Sequence, residues 1–351
     1  MFSKFRILYS RLKSRRRVRL KHLVEARNMS KNCDDGHLND YKKALYKHKF
    51  TYEEYMYRYK LWSLPKHLRE DVISCAEMDT IYYKFVTDEI RKVFADKYHC
   101  LNIFSKWIHR RFLRAKDTSY DDFLELVSFT DCIIKPINGE CGKGIFKTNK
   151  NNIQNIKELY ARCVENDMLI EQFIRACDEI ESFHPASLNT IRVVTMSNGL
   201  KCVFIGAALR MGAEGNVIDN VSAGGLSVPI DMDTGIIQMN GYDAKGVEYE
   251  RHPTTGKAFK GTQIPYWENV RTMCIEASKI VSGARFIGWD ICILPSGEIE
   301  LIEANAMPDI GVIQFTPGYE KRKVIQMAGK ELFHTDLMKL TSIWDFTYRN
   351  I

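Results

Sequence analysis

The spacing of apolar and polar positions changes character along the chain. Residues 40 to 115 carry apolar and aromatic side chains at helical intervals, as in YKKALYKHKFTYEEYMYRYKLW, and predict helices with a break at Pro65. TYEE (51 to 54) has the spacing of a capping box, with Thr51 as N-cap and Glu54 reaching back. The aromatic stripe reads as core packing in preference to a cofactor box or a base-stacking platform. From residue 131 short alternating runs and glycine turns take over. CIIK, MLIEQFI and TIRVVTM predict strands, with a helix near 153 to 166 between the first two. WDICILPSGEIELIEANAMPD (289 to 309) reads as two strands joined by a Pro295-Ser296-Gly297 turn, Asp290 beginning the first and Glu303 and Asn305 ending the second.

That hairpin gathers three oxygen-bearing side chains at its open end. Crowded carboxylates repel unless a proton or cation intervenes, and Mg2+ prefers a few carboxylate or amide oxygens plus substrate phosphates. A metal is the first reading, and a solvated hairpin end capped by acids is the alternative. Upstream, CIIKPINGECGKGIFK (132 to 147) sets Lys135 at a strand end and Gly139, Gly142, Lys143 and Gly144 in a loop joining two strands. Both the Walker and the dinucleotide glycine motifs would need other spacing and a following helix, so they are excluded. A glycine hairpin can still fold its amides over a phosphate with Lys135 beneath, or be an ordinary turn. Arg192 is the single cation of TIRVVTM. Such a residue usually faces solvent and gains meaning only on a face that collects phosphate-seeking groups.

Two further segments leave alternatives open. DNVSAGGLSVPID (219 to 231) sets Asp219 and Asn220 near a Gly-Gly pair, which suits a mobile loop over an acceptor site or an ordinary surface turn. His184, Ser187 and Asn189 could hydrogen-bond a sugar or amino acid, or form a structural capping network.

With 351 residues and 45% hydrophobic content, the chain can bury two or three cores, which fits a multi-domain enzyme. The ten cysteines form no CxxC pair, and Cys132, Cys202 and Cys292 sit in apolar runs as small hydrophobes, so a reducing, cytoplasmic setting fits. No run of eighteen apolar residues or signal-peptide core is present. Residues 1 to 31 hold eleven Lys or Arg against the single acid Glu25, a local balance of +10, leaving −3 for the rest given a total of +7. Interleaved with Phe2, Phe5, Ile7, Leu8 and Leu12, these cations suit an anionic membrane surface at the inner face of the cell membrane. A basic helix without a partner is the equal alternative, and nucleic acid is the less favoured one.

The ordered set IIKPINGECGKGI, LIEQFI, HPASLNTIRVVT, DNVSAGGLSVPID and GWDICILPSGEIELIEANAMPD resembles the ATP-grasp superfamily. Its nearest likeness is the sugar-transfer-associated ATP-grasp group, over about Ser105 to Gln314. The resemblance implies an α+β fold in which two subdomains clamp a nucleotide behind a helical N-terminal region. The expected divisions are a basic tail at 1–31, a helical region at 32–104, a nucleotide-lid subdomain at 105–175 and a catalytic, metal-binding subdomain at 176–351. It implies ATP and two Mg2+ ions as cofactors. Lys106 in FSKW matches the first nucleotide lysine and Lys135 the second; loop 138 to 144 matches the lid over the triphosphate. Glu171, Gln172, Phe173 and Ile174 match the hinge whose backbone reads adenine, and Glu179, with Asp178 as the alternative register, matches the ribose carboxylate. Asp290, Glu303 and Asn305 match the Mg2+ ligands. Trp289 stands where many relatives carry an arginine, so stabilisation of the transferred phosphoryl passes to Arg192 or Arg210.

The implied chemistry is ligation of a carboxylate to an amine or similar nucleophile through an acyl-phosphate, with ADP as product. The substrates would be small-molecule or glycan carboxylates and amines in surface polysaccharide assembly. A kinase on the same fold, or an ATP-binding scaffold that recruits glycosyltransferases, are the alternatives. Nothing in the sequence speaks to oligomeric state.

Overall fold

The computed structural model describes residues 35–139, 144–148, 151, 155–215, 219–314 and 320–340. The basic segment 1–31, Gly142 and Lys143 lie outside the described residues. The chain forms two compact units, one made of residues up to Phe85 together with those from Gln314 onward, the other of Val86–Ile313. The helical region expected at 32–104 is shared between them.

In the first unit α1 (Asp35–His48), α2 (Lys66–Asp71) and α3 (Cys75–Phe85) follow the helical spacing, and Pro65 stands immediately before α2. The aromatic stripe is core: Tyr41, Phe50, Tyr55 and Tyr59 are buried, with the Tyr41 and Tyr55 rings 5.2 Å apart. The capping box closes reciprocally. Thr51 N donates to Glu54 Oε2 at 2.8 Å and Glu54 N to Thr51 Oγ1 at 3.1 Å, satisfying two donors that a helix start leaves open.

The second unit opens with α4 (Asp88–Ala95) and α5 (Lys97–Ile103), N-capped by the side chains of Thr87 and Asp96. A four-stranded antiparallel sheet follows. Its strands β1 (Phe112–Arg114), β2 (Cys132–Pro136), β3 (Phe146–Thr148) and β4 (Met168–Gln172) lie in the order β1-β4-β2-β3. Helices α6 (Tyr120–Phe129) and α7 (Ile156–Glu165) press Phe123, Leu126 and Cys163 against Ile134 and Ile170. β1 falls inside the stretch expected to be helical. Three residues carry too little periodicity to be read, and pairing with β4 overrides local preference.

After the short helix α8 (Asp178–Glu181) comes a seven-stranded antiparallel sheet, with α9 (Trp267–Ala277) preceding its final hairpin. The strands are β5 (Thr190–Ser197), β6 (Cys202–Met211), β7 (Leu226–Ile230), β8 (Gly241–Tyr242), β9 (Glu248–Tyr249), β10 (Phe286–Ile293) and β11 (Ile299–Asn305). Their order is β11-β10-β5-β6-β7-β8-β9. Every residue of β5 and β10 is buried. The turn between β10 and β11 forms where Pro-Ser-Gly predicts it: Gly297 takes φ +85° and its N–H meets Leu294 O at 2.8 Å.

Asp290 does not begin its strand. β10 starts at Phe286 and runs through Gly288, where a Cβ would stand 2.5 Å from Pro308 Cβ. The segment expected as a loop at 219–231 is half strand, since β7 claims Leu226–Ile230. Gly225 is packed so tightly that a Cβ would meet Met211 O at 2.6 Å.

The chain then returns to the first unit with α10 (Lys321–Phe333). Arg322 forks onto Glu77 at 2.9 and 2.8 Å, and Gln314 Nε2 donates to Ile73 O at 2.7 Å. Burial pushes the Glu77 carboxyl up, but hydrogen bonds from His48 and Arg322 outweigh it and hold it at about 2. Among the described residues no helix is long and apolar enough to cross a membrane. Cys132 and Cys292 are buried free thiols, as their apolar settings suggest, and Cys202 is half-buried.

Candidate active site

One face of the seven-stranded sheet carries a cluster of charged and polar side chains. In an antiparallel ladder directly opposed residues share a face. Asp290 opposes Arg192 on one side and Glu303 on the other, Arg192 opposes Ala208, and Thr190 opposes Arg210. Asn305 opposes Gly288, two residues from Asp290, and so lies on the same face. Five site residues expected from sequence, Arg192, Arg210, Asp290, Glu303 and Asn305, are therefore assembled by four adjacent strands.

The charges are paired tightly. Arg192 Nε and Nη2 reach the two Asp290 oxygens at 2.6 and 2.9 Å, and Arg210 Nη1 stands 3.5 Å from Asp290 Oδ1. Burial raises the Asp290 carboxyl, but Arg192, Arg210 and Lys135 together hold it below the ordinary carboxylate range. Arg210 Nη2 donates to Asp219 Oδ2 at 3.2 Å and to Thr190 Oγ1 at 3.1 Å, and Thr190 donates to Asp219. Arg210 Nε is buried with no hydrogen-bond partner among the described residues. An orphaned guanidinium donor is costly unless a ligand oxygen uses it.

Lys135 approaches from the four-stranded sheet. Its ammonium lies 2.6 Å from Glu171 Oε2, and Glu171 is gripped from its other side by Arg110 at 3.0 and 2.6 Å. Burial raises the Glu171 carboxyl, and the Lys135 and Arg110 cations bring it below its usual value. At the hinge, Gln172 N and Phe173 N already donate to Arg111 O and Asp131 O at 2.8 and 2.7 Å. The Phe173 ring is covered by Lys147 Nζ, 3.6 Å from its centroid. Glu179 and Asp178 are exposed on α8.

Lys106 stands apart from this cluster. It is exposed, ion-paired with Glu276 and 5.1 Å from the Trp107 ring centroid. The lysine brought to the site instead is Lys97, which sequence reading missed: its Nζ donates to Gly139 O at 2.6 Å and lies 3.9 Å from Glu303 Oε1. One clue was legible. Lys97 directly follows the N-cap Asp96, and a cation in the first turn opposes the helix dipole, so something other than helix stability holds it there. Gly144, two residues before β3, takes φ +76°.

His184, Ser187 and Asn189 form a buried chain of their own. His184 Nδ1 is 2.9 Å from Ser187 Oγ, which donates to Asn189 Oδ1 at 2.9 Å and accepts from Gly212 N at 3.0 Å, while Asn189 Nδ2 donates to Ile180 O at 2.8 Å. These groups satisfy one another and tie the end of β6 to α8. Asn220 uses its carbonyl to cap the Gly224-Gly225 turn, accepting from Gly225 N at 3.1 Å. Trp289 points to the opposite sheet face, fully buried, its indole N–H donating to Thr195 Oγ1 at 2.9 Å. Burial beside Glu303 pushes the Cys100 thiol up to about 12, so it is no nucleophile.

Residues 84–328 match the family described as sugar-transfer associated ATP-grasp. The chain belongs to that family. Its α+β architecture is the ATP-grasp fold. No curated protein matches the sequence. Among solved structures, the ATP-grasp ligase PsnB complexed with minimal precursor is 14% identical, with 64% of this chain and 56% of that chain covered and a TM-score of 0.39. The ADP complex of purK, N5-carboxyaminoimidazole ribonucleotide synthetase, is 9% identical over 63% and 46%, with a TM-score of 0.41. D-alanyl-alanine synthetase A from Vibrio cholerae O1 biovar eltor str. N16961 is 12% identical over 71% and 65%, with a TM-score of 0.39. This ATP-grasp chain spans about half the length of the first solved structures it matches.

Among the described residues no group of three or more His, Cys, Asp or Glu is gathered for a metal. The oxygen set is two carboxylates and one amide. That fits Mg2+, which binds through one or two carboxylates plus substrate phosphates and does not need an all-protein cage.

Proposed function

We propose that this ATP-grasp chain is an ATP-dependent ligase that activates a carboxylate as an acyl-phosphate and passes it to an amine, on the polar face around Asp290. What supports the reading is the convergence of Arg192, Arg210, Asp290, Glu303 and Asn305 with Lys135 and Lys97 in a family whose name joins the fold to sugar transfer. Asp290, Glu303 and Asn305 would hold Mg2+, which when bound supplies charge neutralisation to the β and γ phosphates. Lys135 and Lys97, with Lys97 in place of Lys106, would meet the phosphates, and Ile174 N–H would read the adenine edge because the amides of the two residues before it, Gln172 and Phe173, are committed.

Without nucleotide, each acid is already matched by a cation: Asp290 by Arg192, Glu303 by Lys97, Glu171 by Lys135. A bound triphosphate would draw Arg192, Lys97 and Lys135 to its oxygens, leaving Asp290 and Glu303 to hold Mg2+ and Glu171 paired with Arg110. The substrate carboxylate oxygen then forms a bond to the γ-phosphorus as the bond to the β-bridging oxygen breaks. Arg192 and the spare Arg210 Nε stabilise charge on the phosphoryl oxygens. The amine adds to the acyl carbon, loses a proton to solvent, and phosphate leaves. Asp219 and Asn220 border the acceptor side. We infer a sugar acid or amino acid in surface polysaccharide assembly as the carboxylate, with residues 1–31 holding the chain at an anionic membrane.

The test is a panel of uronic acids and amino acids with candidate amines, scored by ADP release and product mass. Amine-dependent ADP formation that Glu303→Gln lowers by a hundredfold or more supports the ligase. A stable phosphorylated product without amine would establish a kinase instead.

A further inference from the structure

β11 contains one residue too many. Its partners run Cys292 with Glu300 and Ile291 with Leu301, then jump to Asp290 with Glu303, Trp289 with Ala304 and Gly288 with Asn305. Ile302 is the extra residue of a β-bulge. In a regular ladder Asp290 would oppose Ile302, and Glu303 would oppose Trp289 on the apolar face, so the bulge is what turns Glu303 toward Asp290.

Arg110 is built around this irregularity. Nη1 donates to Leu301 O at 2.7 Å and pairs with Glu300; Nη2 donates to Ile302 O at 3.2 Å and to Glu171 at 2.6 Å; Nε donates to Glu171 at 3.0 Å. All five N–H donors are used, and the side chain is buried. Glu300 is fixed further by His109 N at 2.7 Å. The four charges of Arg110, Lys135, Glu171 and Glu300 sum to zero, so the network is neutral within itself. Among the described residues no other side chain bonds the Leu301 and Ile302 carbonyls, and Arg110 bonds neither Asp290 nor Glu303 directly. Arg110 therefore reaches the proposed metal ligands only through the backbone of the bulge.

We propose that Arg110 is a positioning residue: it clamps the Leu301–Ile302 bulge and thereby holds Glu303 on the metal-facing side of β11, anchored through Glu171 to the strand that carries Lys135. The inference rests on the nucleotide and Mg2+ reading of the site. A lysine at this position keeps the charge between Glu171 and Glu300 but cannot fork onto two successive carbonyls.

The test is Mg2+ titration of fluorescent ATP analogue binding by the intact protein, alongside binding in EDTA. Arg110→Lys should raise the Mg2+ concentration for half-maximal enhancement by about tenfold or more, the usual scale for a group that orients a metal ligand. It should leave binding in EDTA within about twofold of wild type, whereas general unfolding would lower both. In a Glu303→Gln background the Arg110→Lys effect should vanish, because the residue it acts through is gone. Glu300→Gln, which keeps shape and hydrogen-bonding capacity, is the second variant and should shift the Mg2+ requirement severalfold the same way, with its unfolding midpoint as the check on folding. An unchanged Mg2+ requirement in both variants, or an Arg110→Lys effect undiminished in Glu303→Gln, overturns the inference alone. Wild-type protein that binds the nucleotide analogue without any Mg2+ dependence, or not at all, overturns the site reading and this inference with it.

Discussion

Lys135→Met tests the proposed phosphate contact. The Lys135 side chain is 7% exposed and its ammonium is 2.6 Å from Glu171, which keeps both Arg110 contacts when the lysine is removed. Arg110 is then shared between Glu171 and Glu300, a net −1 in a buried network, so the ligand-free variant loses stability and must serve as its own reference. At an ATP concentration a hundred times the wild-type Kd, native-state binding contributes about 2.7 kcal/mol. A charge-assisted hydrogen bond contributes about 1.5–3 kcal/mol, which weakens binding by roughly 10- to 150-fold when lost. For a mid-range loss of about 40-fold, the same ATP concentration stabilises the variant by only about 0.7 kcal/mol. With about 2–4 °C per kcal/mol for a unit of this size, Mg·ATP should raise the wild-type midpoint by about 5–11 °C and that of the variant by about 1–3 °C. Thermal unfolding with matched Mg·ATP, each protein referred to its own ligand-free midpoint, measures both. Equal rises would show that Lys135 does not meet the nucleotide. No rise in either protein would remove the basis for ATP binding on this face.

Three other outcomes are expected. Arg192→Met strands Asp290 with only the longer Arg210 contact and should destabilise the second unit by about 3–5 kcal/mol in urea unfolding, a loss that adding Asp290→Asn largely restores; a loss under 1 kcal/mol would contradict the pairing. Glu77 is held from 4.5 down to about 2, so its contribution is present above pH 4.5 and is lost as pH falls toward 2; the urea-midpoint gap between wild type and Glu77→Gln should close over that window, and a gap constant from pH 7 to pH 2.5 would refute the assignment. Residues 1–31 should pellet the protein with vesicles containing phosphatidylglycerol and not with neutral ones, less so as salt is raised, and deleting them should abolish pelleting; equal pelleting with both lipids would exclude an electrostatic anchor.

What the sequence disclosed was local. The Pro295-Ser296-Gly297 turn, the Thr51–Glu54 box and the strand at Thr190 are written in neighbouring residues, and the structure has all three. Lys97 and Arg110 were not readable, because their meaning comes from partners far along the chain: Arg110 and Glu300 are 190 positions apart. The bulge did leave a trace. Glu300, Glu303 and Asn305 cannot all share a face at period two, so ELIEAN requires an extra residue if those side chains act together. Likewise Gly288 punctuates the sequence but not the strand, since Pro308, which it accommodates, arrives twenty positions later.

Trp289 gives the sheet a built-in optical gauge. It is adjacent to Asp290 in the same strand but projects into the opposite, fully dry side, with its indole bonded to Thr195 and set edge-on to Phe104 at 5.4 Å. A tryptophan in such surroundings emits at short wavelength, and its quantum yield responds to small displacements of the neighbouring ring and hydroxyl. If Asp290 exchanges its arginine for Mg2+ as proposed, any displacement of β10 would reach this chromophore one peptide away. Stopped-flow emission, with the signal of the other four tryptophans removed by subtracting a Trp289→Phe trace, would time any rearrangement of the charged face without a label.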